Sequence, residues 1–156
     1  DPGVVLHFIT QKGMNPAAVE DLLYRHSGLL GISGISADSR ELIESMAPEA
    51  AEALELFCFR IAGEIARLAA TLGGLDAVVF TAGVGENQPS VRAAVARRLG
   101  WLGLELDEAA NALNARSIGA AGARVKILVV ATDEESIIAD EALSVLQHAT
   151  PAAWNS

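Results

Sequence analysis

Apolar residues along this chain switch between a helical and a strand period. Asn15 followed by Pro16 supplies a capping side chain and a first-turn proline, and predicts a helix to about Arg25. Ser27 to Ala37 is rich in Gly and Ser with interleaved Leu and Ile, and reads as a packed loop anchored by its apolar side chains. A second helix is expected from near Asp38. Pro48 opens the longest helix, which Gly73-Gly74 should end, with Leu54, Phe57, Cys58, Ile61, Ile65, Leu68 and Leu72 forming one apolar stripe. Ala50, Ala51, Ala53, Ala62, Ala66, Ala69 and Ala70 make this helix slim, as expected of a central helix lying on a sheet.

Ala77 to Thr81 is a short, fully apolar strand, followed by a glycine turn and a helix from Pro89 to Arg98. Trp101 to Leu106 is weakly strand-like, Asp107 caps a helix to about Arg116, and Gly119 to Gly122 is a turn. Val125 to Ala131 is the second strong strand. Asp133 to about Leu146 is the last helix, and residues 147–156 lack periodicity and read as a tail. Apolar strands alternating with helices indicate a parallel α/β arrangement. Two strands alone make a marginal sheet, so further strands are expected upstream.

At 156 residues the chain is long enough to bury a sizeable core, and its 51% hydrophobic content excludes intrinsic disorder. No apolar run approaches the ~18 residues of a membrane span. Twenty acidic against eleven basic residues give a formal charge of -9, a poor match to nucleic acid or an anionic membrane. A single cysteine, Cys58, excludes an internal disulfide and a Cys-based zinc site, which points to a reducing cytoplasm. The opening Asp1-Pro2-Gly3 has neither a leader nor a methionine, and a piece of a longer cytoplasmic protein is expected from it.

Three stretches carry candidate chemistry. In Val78 to Arg92 (VVFTAGVGENQPSVR) an apolar strand runs through Gly83-Val84-Gly85-Glu86-Asn87 into a helix. Glycines at a strand-to-helix turn let a ligand approach the backbone, and the turn lies where open α/β sheets bind ligands. An ordinary tight turn fits the spacing equally well. Thr132-Asp133-Glu134-Glu135 ends the second strand; capping alone accounts for it, and one carboxylate ordering magnesium near phosphates is the alternative. In Ser36-Ala37-Asp38-Ser39-Arg40, Asp38 and Arg40 could hold a ribose hydroxyl and a base plane, although a helix cap beside a surface arginine is the simpler reading. His7, His26 and His148 lack a partner carboxylate at a helical interval, and Cys58 reads as an inert core thiol.

Together with Asp1-Pro2-Gly3, Ser27 to Ser36, Gly73-Gly74-Leu75-Asp76, Phe80-Thr81 and Leu102-Gly103, these stretches resemble the C-terminal part of the acetate and propionate kinase (acetokinase) family. The likeness holds in order and spacing to about Leu146. It implies the nucleotide-binding domain of the actin-like, ribonuclease H-like fold shared by acetate and sugar kinases, heat-shock proteins and actin, here incomplete over residues 1–146. By position, Asp38, Ser39 and Arg40 resemble the adenosine-contacting residues. Gly83, Val84, Gly85, Glu86 and Asn87 resemble the turn that binds ATP or ADP, and Glu134 the carboxylate associated with Mg2+. The family reaction interconverts ATP and acetate with ADP and acetyl phosphate. Its catalytic arginine is expected upstream of Asp1, so no catalytic residue and no activity are expected in this chain by itself.

The resemblance also implies a homodimer formed through the long slim helix or its neighbours. It places the last helix, with Ile137, Ile138, Leu143 and Leu146, against a first domain. Propionate or butyrate kinase, and a non-catalytic nucleotide-binding or dimerisation module, are the alternatives. Two departures stand out: Ala82 replaces a glycine common in the family, a change read as tolerable, and Asp133 replaces an asparagine.

Overall fold

The computed structural model describes residues 1–148, except the side chains of 134, 135 and 146–148. Its helices are α1 (Pro2–Thr10), α2 (Pro16–Arg25), α3 (Gly28–Ser33), α4 (Ser39–Glu44), α5 (Pro48–Leu72), α6 (Ala82–Asn87), α7 (Pro89–Arg98), α8 (Glu108–Ala112) and α9 (Glu134–His148). Strands β1 (Ala77–Phe80) and β2 (Lys126–Val129) pair in parallel, with Val78 opposite Ile127 and Phe80 opposite Val129.

Helix starts follow the capping residues. Asn15 Oδ1 accepts from the Ala18 amide at 2.8 Å and Asp38 Oδ1 from the Arg40 amide at 2.8 Å, each satisfying an orphan donor of a first turn. Besides α6, which stands where a glycine turn is expected, two further helices were not expected. α1 is capped by Asp1, whose Oδ1 accepts from Gly3, and it buries none of its residues. α3 replaces the packed loop expected at Ser27 to Ala37, since Gly34 at φ 64 ends a helical turn instead of opening a loop.

The slim helix α5 packs chiefly on helices α3, α4 and α7 and reaches the sheet through a shared core. Ala50, Ala53, Cys58, Ala62 and Ala69 form its buried face. Of the expected stripe, Leu68 and Leu72 stand outside that face, 48% and 73% exposed. The alanines therefore serve helix-on-helix contact, where small side chains let the backbones approach.

The main core joins Cys58 and Ala62 to Val78 and Ile127 of the sheet and to Val91, Val95 and Leu99 of α7. Trp101 to Leu106 is not a strand. A single 3-10 turn (Gly100–Leu102) leads to Leu104, which bridges Val125. α8 stops well short of Arg116, and the chain then runs back along β2, where the Val129 amide donates to Arg116 O and the Ile118 amide to Ile127 O, both at 2.9 Å. That antiparallel edge was also missing from the expected arrangement. α9 continues to His148, two residues into the expected tail, whose remainder lies outside the described residues. Among the described residues no helix is long and apolar enough to cross a membrane.

Candidate functional site

The carboxyl ends of β1 and β2 lead into two turns that are tied to each other. Thr132 donates both its amide and its hydroxyl to Glu86 Oε1, at 2.9 and 2.6 Å, and its Oγ1 accepts from the Ala82 amide at 3.1 Å. These bonds favour the charged carboxylate, so Thr132 holds Glu86 below its ordinary pKa. Sequence alone treats Glu86 and Thr132 as parts of separate candidates; the structure makes them one latch.

The stretch Gly83 to Asn87 forms most of the short helix α6 instead of an open glycine turn. Its two glycines differ. A Cβ on Gly85 would come within 3.0 Å of the Phe80 carbonyl carbon, so packing requires glycine there. A Cβ on Gly83 would meet nothing within 4 Å, and its φ is not in the left-handed region. Ala82 does stand in that region, at φ 58, so its methyl carries backbone strain that the sequence reading did not anticipate.

Beneath α6 lies Arg92, which has 0% of its surface exposed. All five of its N–H donors are used. Nε donates to Asn111 Oδ1 at 2.8 Å; Nη1 to the Gly85 and Glu86 carbonyls at 2.8 and 2.9 Å; and Nη2 to Asn111 O and Asn114 Oδ1 at 2.8 and 2.5 Å. No acceptor among these is a carboxylate. Burial pushes the guanidinium pKa down, while carbonyl dipoles, including the last ones of α6, solvate the charge. Sequence reasoning missed this residue. The available signal was an arginine on the buried stripe of α7 with Val91, Val95 and Ala96.

The third candidate joins from another side. The buried Gln88 Nε2 donates to the buried Ser39 Oγ at 2.8 Å, pinning the start of α4 to the α6–α7 junction. Gln88 Oε1 is buried without a hydrogen-bond partner. Asp38 caps α4 and grips Arg40, with Nη2 donating to Oδ2 at 2.6 Å and Nε lying 3.1 Å from both oxygens. This pairing lowers the Asp38 pKa and raises that of Arg40. Arg40 remains 77% exposed, a flat cation held at the surface.

An open cleft of about 570 Å³ lies at the strand ends, lined by Glu86, Asn87, Asn114, Arg116 and the β2 exit Val129 to Ala131. Asp38 and Arg40 do not line it; they connect to this region through the Ser39–Gln88 bond. Asp133 Oδ1 accepts from the Ser136 amide at 3.1 Å, a capping role, while the Glu134 side chain lies outside those described. Among the described residues no group of three or more His, Cys, Asp or Glu forms a metal cage. Magnesium needs only one or two protein oxygens beside phosphate and water, and the described carboxylate at the β2 exit, Asp133, is engaged as a cap. His26 is not isolated as expected: its Nε2 lies 3.2 Å from Asp21, reached across the end of α2. Cys58 is a buried free thiol.

Residues 1–140 match the model of the acetokinase family. The chain is 49% identical over 146 residues to an acetate kinase of Nitrobacter hamburgensis, covering 94% of this chain and 36% of that protein. It is 51% identical over 146 residues to an acetate kinase of Rhizobium meliloti, covering 94% and 37%. Among solved structures, it resembles an acetate kinase from Porphyromonas gingivalis with TM-score 0.81 and 35% identity, over 94% of this chain and 38% of that one. A propionate kinase from Francisella tularensis gives TM-score 0.82 and 33% identity, over 90% and 37%. The chain thus spans a little over a third of the length of these relatives.

Proposed function

The chain belongs to the acetokinase family and has the α/β fold of the acetate and sugar kinase, heat-shock and actin superfamily, and from that premise we propose that it forms the nucleotide-holding part of an ATP:acetate phosphotransferase. In this reaction an acetate oxygen bonds to the γ-phosphorus of ATP while the bond from that phosphorus to the β–γ bridging oxygen breaks. ADP leaves and acetyl phosphate forms. Catalysis of this kind rests on positioning and on neutralising charge between two anions.

Gly83 is the observation that carries the reading. Neither its φ nor its neighbours require glycine, whereas Phe80 requires it at Gly85. Open space above Gly83 is what a base or sugar laid on the backbone needs. Asn87 is braced by donating to the Gly83 carbonyl at 3.1 Å, and Val84 anchors the turn by packing on the core. The exposed Arg40 plane can stack on a base. Asp38 already spends both oxygens on Arg40, so its main part is to hold that plane, with a ribose hydroxyl as an added donor. Magnesium, when bound, offsets the charge of the transferred phosphoryl group, and Glu134 is the residue that would hold it. With a formal charge of -9 the chain repels a nucleotide at long range, so Arg40, Arg116 and backbone amides must supply the local attraction.

The test is calorimetry of the 156-residue chain with Mg-ATP, alongside a coupled acetyl phosphate assay. Binding without turnover is expected, because the acceptor pocket and catalytic arginine are placed outside this chain. Turnover above background would refute that assignment, and absence of any binding heat would favour a pure interaction module. Propionate as acceptor is a second reading, favoured by the likeness to the Francisella propionate kinase. We place the protein in the cytoplasm as a homodimer; light scattering showing only monomer at high concentration would remove the dimer.

A further inference from the structure

Arg92 has no surface through which to touch a ligand, yet it consumes five donors, two of them on the carbonyls of Gly85 and Glu86. Those carbonyls belong to the same short helix as Gly83, Val84 and Asn87. Six residues cannot hold a helix by their own hydrogen bonds, so its shape must come from outside. Three contacts supply it: the Thr132–Glu86 latch at one side, Gly85 packed on Phe80, and the guanidinium beneath its C-terminal end. Only the last reaches across to α8, through Asn111 and Asn114, and Asn111 in turn donates to the Pro89 carbonyl at 2.9 Å.

We propose that Arg92 is a positioning residue for the nucleotide. Its planar five-donor fork sets the angle of α6 against α7 and α8 and so fixes the backbone surface at Gly83. This rests on the reading that Gly83 to Asn87 holds the nucleotide. Planarity matters as much as charge: a lysine ammonium keeps the positive charge but has three donors radiating from one point, and it cannot serve Asn111, Asn114 and two successive carbonyls together. Affinity should therefore fall on replacement by lysine, although no ligand contact is lost.

The experiment uses Arg92→Lys and the gentler Asn114→Gly, which removes one acceptor while suiting the left-handed backbone at φ 51. If the lysine variant fails to fold, Asn114→Gly carries the test. Amide hydrogen exchange is measured on each free chain and Mg-ADP binding by calorimetry. Expected are an acceleration of exchange that is largest at residues 83–88 and smaller in α5 and β1, and a Mg-ADP Kd raised about tenfold for Arg92→Lys and less for Asn114→Gly. Wild-type affinity in the variants overturns the proposal alone, as does exchange accelerated equally through α5 and β1, which would make Arg92 a core residue and nothing more. A wild-type chain that takes no Mg-ADP defeats the nucleotide reading itself and the proposal with it.

Discussion

Arg40, next to the Ser39 that Gln88 holds, and Arg92, beneath α6, answer opposite physical demands. Arg40 stands in solvent, paired bidentately with Asp38, in a geometry that water could replace at little cost. Arg92 is sealed from water with neutral acceptors only, and removing it would leave those acceptors buried and unpaired. Exposed charge is free to meet a ligand, whereas buried charge is committed to the frame. Stability should therefore depend on Arg92 alone, while affinity depends on both arginines, on Arg40 by contact and on Arg92 through the backbone of α6 that it holds.

The comparison breaks most visibly at Arg92. Arg92→Met should cost about 3–5 kcal/mol, since several buried acceptors lose their donors at once. Urea denaturation followed by circular dichroism measures it, and a loss below ~1 kcal/mol would show that the site relaxes or admits water. Next is Ala82→Gly, which removes a methyl from a left-handed backbone position and should stabilise by about 1 kcal/mol in the same assay.

Glu86 sharpens the comparison through pH. Thr132 lowers its folded-state pKa, so its contribution is full above the unfolded carboxylate range and is lost as pH falls through the lower folded value. Glu86→Gln should therefore flatten the fall in stability in the acidic range below about pH 4.5 and leave the neutral-to-basic limb parallel to wild type. Denaturation midpoints from pH 3 to 8 would show this, and an unchanged acid limb would remove the latch from the account. Arg40→Ala comes last: stability within about 0.5 kcal/mol of wild type but weaker Mg-ATP binding, whereas Arg92→Met loses stability as well as affinity. Equal stability losses in the two variants would erase the distinction between frame and contact.

Much of the frame was legible in sequence because it is written locally. Asn15-Pro16, Asp38 and Pro89 mark helix starts through capping and proline geometry, and Gly73 ends α5 at φ 75 in the left-handed conformation. The apolar runs around Val78 and Ile127 were legible as strands, although Val79 stands 51% exposed. What was not legible depends on partners distant in the chain. Arg92 finds acceptors 19 and 22 positions later, Gln88 reaches Ser39 across 49 positions, and Thr132 meets Glu86 across 46. The strain at Ala82 is a backbone angle that no residue pattern reports. On α5 the expected stripe packs into the cores through Leu54, Phe57, Cys58, Ile61 and Ile65, and only its end, Leu68 and Leu72, stands outside.

If α6 and the start of α4 together hold the nucleotide, Mg-ADP should perturb the amides of both, which chemical-shift mapping reads. Shifts are expected at Gly83 to Asn87 and at Ser39 and Arg40, with α2 and the Gly119 to Gly122 turn unmoved. No shifts at saturating nucleotide, or shifts confined to other elements, would contradict it.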